Sequence, residues 1–522
     1  MDKLLFNFII LALLGLLAHG ATRAPLCSQT PYPYLCSSLV ETEPLGTVDE
    51  NHFTIRDLSL RVTLDQVQQA REVVMGMDLS SFNQRARLAW ADCLELHEDT
   101  VRLLNRSIGS TNLVDTQTWL SAAVTNHETC RTGFDDFNMS SYYTSFPLMM
   151  GEFSKFLRNS LAINKAAAAT MVKFSKQTRG RRQLLSGGFP AWMSDRERKL
   201  LESPGVTADI VVAQDGSGNF ETISEAVAAS RKLSGGKRFV IHVKSGVYEE
   251  NVVIEESMKN LMMIGDGIGA TVVTGNRNSE DGSTTFRSAT FAVSGGGFIA
   301  CDMTFQNTAG PQKRQAVALR SGSDFSIFYR CSFLGYQDTL YTFTMRQFYR
   351  ECDIYGTVDF IFGNAAVVFQ NCNLYVRKPM SYQKNSVTAQ GRTDPNQNTG
   401  IVVHNSRVTA ASDLRPVQDS FRTYLGRPWQ KYSRTIFMKS TLDDLIEPAG
   451  WDSWIGNFGQ STVYFGEYMN TGAGAGIGGR VKWPGFHVIT SPTEARKFTV
   501  ENFLAVAPGL VRPECPTLQG CK

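Results

Sequence analysis

Phe328-Tyr329-Arg330-Cys331-Ser332-Phe333-Leu334-Gly335 returns one repeat later as Phe348-Tyr349-Arg350-Glu351-Cys352-Asp353-Ile354-Tyr355-Gly356, and a shorter third copy stands at Phe369-Gln370-Asn371-Cys372-Asn373-Leu374-Tyr375. The cysteines advance by 21 and then 20 residues, and Gly335 and Gly356 lie 21 apart. Short β-rich segments punctuated by Gly, Asn and Asp fit a sandwich, a barrel or a solenoid. Nothing in a sandwich requires so fixed a period, whereas one coil of a parallel β-helix, three short strands and their turns, consumes about this many residues. Stacked strands lie about 4.8 Å apart, inside the roughly 4.4–6.8 Å Cα separation that a disulfide accepts. One pair among Cys331, Cys352 and Cys372 is therefore expected to bridge neighbouring coils. Cys352–Cys372 and Cys331–Cys352 both fit.

The same period places the candidate chemistry. Asp338 and Asp359 differ by the repeat length, and Gln315 precedes Asp338 by 23 residues. Gln315, Gln337-Asp338 and Asp359 are thus expected on one sheet face across three consecutive coils. Two neighbouring carboxylates do not both ionise cheaply, which supplies an acid and a nucleophile from one residue type. Such a pair suits ester hydrolysis: Asp359 attacks the carbonyl, Asp338 protonates the departing alcohol, and the amides of Gln315 and Gln337 receive the developing negative oxygen. Arg427 is placed to hold Asp359 ionised, and Trp429 offers a flat apolar face for a sugar ring. The serine-hydrolase alternative finds no Gly-x-Ser-x-Gly elbow. The β-rich part holds only His242, His404 and His487, none beside an obvious nucleophilic serine, and His242 reads as packed in an apolar strand.

Around this core the chain changes character. Its 522 residues imply two or three domains. A net charge of +3 argues against a dedicated nucleic-acid binder. Residues 1–20 carry a short apolar run closing on Ala18-His19-Gly20, the pattern of a cleaved secretory signal; the run is too short for a membrane anchor. Ten cysteines then favour disulfides in a secreted protein. No local zinc signature is present. Asn105 and Asn138 sit in glycosylation sequons. Residues 21–170 show helical periodicity and read as an all-α bundle, with Cys27–Cys36 closing a small loop and Cys93–Cys130 stapling two helices. His97 and His127 are helix-face residues here rather than ligands. Residues 171–206 form a linker with two basic clusters, Arg179-Gly180-Arg181-Arg182-Gln183-Leu184-Leu185 and Arg196-Glu197-Arg198-Lys199-Leu200-Leu201, placed where maturation proteases cut. Residues 207–507 are the all-β part, and 508–522 a tail containing Cys515 and Cys521.

Five segments of the β part carry a specific resemblance: Gly246-Val247-Tyr248-Glu249-Glu250, Gln315-Ala316-Val317-Ala318-Leu319-Arg320, Gly335-Tyr336-Gln337-Asp338-Thr339-Leu340-Tyr341, Asp359-Phe360-Ile361-Phe362-Gly363 and Leu425-Gly426-Arg427-Pro428-Trp429. In this order they resemble the signature segments of plant pectin methylesterases. The resemblance implies a right-handed parallel β-helix that hydrolyses C6 methyl esters of homogalacturonan in the cell wall without a cofactor. It implies Asp359 as nucleophile, Asp338 as proton donor and Gln337 as transition-state stabiliser, with Thr285, Gln315, Arg427 and Trp429 at substrate-binding positions. The helical part resembles the inhibitor domain preceding the enzyme in one group of these proteins, with its four cysteines paired first with second and third with fourth. Subtilisin-like proteases acting at Arg182 or at Arg198-Lys199 are the implied processing partners, and proteinaceous pectinesterase inhibitors are further candidates that the resemblance suggests.

Overall fold

The computed structural model describes residues 27–41, 52–137, 147–175, 189–190, 192–202, 207–233 and 237–504. Residues 1–20, read as a secretory signal, Asn138, Arg182 and the tail with Cys515 and Cys521 lie outside the described residues. The chain divides into two compact units, one within Met1–Ser81 and Cys93–Arg182, the other within Phe82–Asp92 and Gln183–Lys522.

The helical region contains α1 (Pro33–Glu41), α2 (His52–Met75), α3 (Gln84–Ser107), α4 (Leu113–Asp135) and α5 (Pro147–Ser175). Apolar side chains four residues apart, Phe153, Leu157 and Leu161, give α5 a buried stripe, and both α2 and α4 pack on this helix. Helix α4 starts cleanly because Asn112 caps it, its side chain accepting from the Asp115 amide at 3.1 Å. The seam also holds polar groups paired with one another: Ser160 bonds Ser59 at 2.7 Å and Thr63 at 2.9 Å, and Asn164 donates to Gln117 at 2.7 Å. The disulfides Cys27–Cys36 and Cys93–Cys130 are both formed, as the sequence leads one to expect.

The second unit is a stack of coils. Its described strands form three wholly parallel sheets of eleven, eight and seven strands, and each coil gives one strand to each sheet in turn. The register follows the sequence period. Ser332 pairs with Asp353 and Asp353 with Asn373, steps of 21 and 20 residues. From the third coil onward the chain turns from the first sheet to the second through one left-handed residue per coil, Asp302, Arg330, Glu351, Asn371, Asn405, Lys439 and Met469, with φ between 48° and 56°. Stacking repeats inside the coils as well: Phe328, Tyr349 and Phe369 lie face to face at 4.6 and 4.7 Å. The helix Ile223–Leu233 packs on the first strands, and Glu250 accepts from its Ile223 and Ser224 amides at 2.8 and 2.9 Å. A carboxylate there satisfies amides that the helix itself leaves unpaired.

One expectation is corrected here. Cys331, Cys352 and Cys372 do occupy equivalent places in successive coils, but they are buried free thiols, as is Cys301. Their sulfurs lie within hydrogen-bonding range of main-chain carbonyls, Cys352 at 3.4 Å from Phe328 O and Cys372 at 3.6 Å from Tyr349 O. Neither Cys352–Cys372 nor Cys331–Cys352 is bridged. His242 also departs from its packed reading: it is half-buried and bonds Asp266 at 2.7 Å.

Candidate active site

The site grows from the turn that feeds the third sheet. Leu340 pairs with Ile361 across adjacent coils, so Asp338 and Asp359, each two residues earlier, hold the same position on successive coils. Both adopt left-handed backbone, φ 63° and 51°, which asparagine and aspartate tolerate better than most residues. The Asp338 amide donates to Val358 O at 3.1 Å, locking one turn onto the next. The two carboxylates therefore sit in stacked turns at the sheet margin, where Asp338 is 7% and Asp359 5% exposed.

The same register builds a row along the third sheet: Arg320, Tyr341, Phe362, Ala389 and Arg427 are successive partners. Tyr341 and Phe362 stack at 4.2 Å. Arg427 reaches back to Asp359 with two parallel bonds, Nε to Oδ1 at 2.8 Å and Nη2 to Oδ2 at 2.6 Å, the fork geometry that fixes both charge and orientation. Burial works against the Arg427 charge, but Asp359, its hydrogen bonds and then Asp338 raise the pKa of the guanidinium above its ordinary value. Trp429 meets Phe362 edge-on at 5.9 Å. Its place depends on Gly391, since a Cβ there would stand 2.8 Å from the indole.

The glutamines are close by but not as simply aligned as their spacing suggests. Val317, not Gln315, holds the register position of Asp338, because Leu319 pairs with Leu340. Gln315 lies two residues ahead of that position, equivalent to Tyr336, and its side-chain oxygen accepts from Ser279 at 2.7 Å. Gln337 is half-buried beside Asp338; its main-chain carbonyl accepts from the Ala316 amide at 3.3 Å. Thr285 is half-buried in the loop that leads to Ser288, whose hydroxyl donates to Thr285 O at 2.9 Å. One contributor escapes sequence reasoning. Trp454, 38% exposed, lies with its ring 4.4 Å from the Arg427 guanidinium carbon. Its neighbour Trp451 is buried and donates to Glu467 at 3.3 Å, so the two tryptophans of Trp451-Asp452-Ser453-Trp454 have opposite fates.

Elsewhere, Asn105 is exposed in the last turn of α3, and Arg198 and Lys199 belong to a helix, Asp195–Glu202. No helix of the described residues is long and apolar enough to cross a membrane.

Family models match both parts of the chain: Pectinesterase over residues 209–507, and Plant invertase/pectin methylesterase inhibitor over 24–163. The chain belongs to the pectinesterase family. Similar relatives include the Arabidopsis thaliana protein named probable pectinesterase/pectinesterase inhibitor 6, 53% identical over 92% of this chain and 90% of its own. Pectinesterase 2 of Citrus sinensis is 51% identical, over 92% of this chain and 91% of its own. Among solved structures, pectin methylesterase from carrot aligns with a TM-score of 0.57 at 60% identity, covering 58% of this chain and 94% of that one. Pectin methylesterase from Aspergillus niger aligns at 0.50 and 29% identity, covering 58% and 96%. The pectinesterase match spans the coils that carry Asp338, Asp359 and Arg427, and the inhibitor match spans α1 to α4 and part of α5.

Proposed function

We propose that this pectinesterase hydrolyses the C6 methyl ester of galacturonosyl units in cell-wall homogalacturonan, with Asp359 as nucleophile and Asp338 as acid and base. The observation that carries the reading is the forked Arg427–Asp359 pair with Asp338 one coil away in the same turn. An Asp359 oxygen held by Arg427 attacks the ester carbon, and the carbonyl electrons move to its oxygen. In this reading the side-chain amides of Gln337 and Gln315 donate to this negative oxygen; the Gln337 amide has no partner among the described residues, which suits a donor kept for a transient oxyanion. The carbonyl re-forms, the bond to the methoxyl oxygen breaks, and Asp338 gives its proton to the leaving methanol. An acyl anhydride on Asp359 remains. Asp338, now a carboxylate, takes a proton from water as the hydroxyl adds to the acyl carbon. Collapse returns the Asp359 carboxylate, leaves the free uronic acid and keeps the proton on Asp338 for the next turn.

Thr285, Gln315, Arg427 and Trp429 bind the substrate, Trp429 by stacking on a pyranose face. The chain is exported to the cell wall through its N-terminal leader, glycosylated at Asn105 and Asn138, and cut in the linker by a subtilisin-like protease. Until then the inhibitor-like domain restrains the esterase or assists its export, and separate inhibitor proteins of the same class act on the mature form. Incubation with methyl-esterified homogalacturonan tests the reaction: methanol appears while polymer length is unchanged. Shortened oligomers or unsaturated ends would instead show a glycosidase or a lyase. A chain beginning near residue 207 should release methanol faster than the full chain, and equal rates would remove the restraining role.

A further inference from the structure

The described part of the linker, 189–190 and 192–202, is folded on the catalytic unit. Phe189 lies edge-on to Tyr329 at 5.5 Å and to Phe348 at 6.2 Å, with the Arg350 guanidinium 4.7 Å from its ring. Trp192 leans on Phe325 at 5.2 Å. Phe189, Met193 and Leu201 are buried in one cluster with Val240, Met262, Ile327 and Phe348 of the eleven-stranded sheet. Their neighbours Ile241, Met263, Phe328 and Tyr349 belong to the coil interior, so by strand alternation this cluster covers the sheet's outer face.

The helix that follows, α6 (Asp195–Glu202), contains the whole Arg198-Lys199-Leu200-Leu201 motif. Its start is a reciprocal cap: the Glu197 amide donates to Ser194 Oγ at 3.2 Å, and the Ser194 amide donates to Glu197 Oε2 at 3.0 Å. Glu197 is also clamped by Arg238, which donates through Nε at 3.0 Å and through Nη2. Arg198 is turned back onto its own segment, donating to Met193 O at 3.2 Å. At the other end Leu201 is 2% exposed, and its carbonyl accepts from Arg330 at 3.3 Å. Arg330 is in turn anchored by Asp302 at 2.8 and 2.7 Å.

A protease reads its substrate as an extended strand added to its own main chain. A motif wound into a capped helix, with one leucine buried and a carbonyl engaged, does not present that strand. We propose that Phe189–Glu202 is a strap of the catalytic unit that masks the Arg198-Lys199-Leu200-Leu201 cleavage site, so that cutting there requires the strap to leave the sheet. The inference rests on the reading of the linker as a processing region. Its consequence is that cleavage at this cluster reports the docking state of the strap: it precedes closure of this face of the β-helix or follows its opening.

The test compares cleavage at 198–201 by a dibasic-specific subtilisin-like protease in four substrates. These are the native full chain, its Phe189→Ala and Glu197→Gln variants, and a peptide spanning residues 192–206, with fragment ends read by mass spectrometry. Cleavage of a folded segment follows its open population. The native chain should be cut at least about a hundredfold more slowly than the peptide, and each variant about tenfold faster than the native chain. Methanol release by the uncut variants should match the native chain, since neither residue lies at the site. Hydrogen exchange on the native chain provides a reading free of substitutions, and the amides of Arg198 to Leu201 should be protected. Native cleavage at the peptide's rate, unprotected amides, or variants cut no faster would overturn the strap. A peptide left uncut by the protease would overturn the processing reading at this cluster, and the strap's masking role with it.

Discussion

In the helical unit, cysteines tie the chain covalently: Cys27 to Cys36 and Cys93 to Cys130. In the β-helix the four described cysteines are buried thiols. A bundle of separate helices gains from cross-links that restrict its unfolded chain. A stack of coils is already held by parallel ladders and by interior rows such as Phe328-Tyr349-Phe369. The polar groups differ in the same way. The β-helix places its central charges in matched pairs, Arg427 with Asp359 and Arg346 with Asp324. The bundle buries His97 and His127 edge-on to Phe153, at 6.2 and 5.4 Å, and both ring nitrogens of His97 and Nδ1 of His127 have no hydrogen-bond partner among the described residues. The difference teaches where chemistry and acid response are expected: the coil unit clamps Asp359 with Arg427, while the bundle buries two neighbouring imidazoles whose burial disfavours their charged form.

The largest expected effect breaks the two units apart by pH. Burial pushes His97 down to about 3, with the nearby His127 adding to the shift. Burial pushes His127 down to about 4 although Glu128 draws it up, while Arg158 and Arg131 oppose its charge. Because the folded values lie below the unfolded one, the unfolded chain binds these protons first. Stability is complete above about pH 6.5 and falls as acid approaches the folded values, by about 2 kcal/mol per histidine at pH 5. Unfolding of the bundle, followed by circular dichroism at 222 nm between pH 7 and 5, should shift to lower temperature. A His97→Leu, His127→Leu chain should shift much less, and equal acid sensitivity would remove these residues as the cause.

The next effect sharpens the contrast in cross-links. Cys93→Ser with Cys130→Ser opens a 37-residue loop and should cost the bundle about 3 kcal/mol. Cys352→Ser should leave the bundle transition where it is, and differential scanning calorimetry separates the two outcomes. Within the coil unit, Arg427→Ala removes the clamp on Asp359 and should lower kcat for methanol release about a hundredfold. An unchanged kcat would show that Asp359 is oriented by other means. The smallest effect concerns Trp454→Ala, which loses the ring beside Arg427 and should change kcat/KM about fivefold, the scale of one cation–π contact.

Much of the coil unit was legible because a stacked fold writes the same position once per turn. The 21-residue step between Asp338 and Asp359 is the register itself, and the cysteines mark it even though they remain thiols. Gln315 was placed less accurately, since its 23-residue spacing to Asp338 exceeds the 21-residue step by two and so puts it two residues before the aspartate's register position. Trp454 was invisible for a related reason: it stands in a loop beyond the strands, and only the folded chain brings it to Arg427. The strap was read as an open connector because its motif is basic, whereas its folding depends on distant Arg238 and Arg330. In the bundle, helical spacing revealed the helices and placed Cys93 and Cys130 on two of them, and the resemblance implied both disulfide pairs, but neither showed that His97 would be 0% exposed with no hydrogen-bond partner among the described residues.

The central claim is that one row position on two successive coils supplies both halves of the chemistry. Methanol release from methyl-esterified homogalacturonan by the wild-type chain, Asp359→Ala and Asp338→Asn tests it most directly, with folding of each variant verified by its β-sheet circular dichroism. Both variants should lose at least about a thousandfold in kcat while remaining folded. A folded variant of either kind that releases methanol at the wild-type rate would contradict the account.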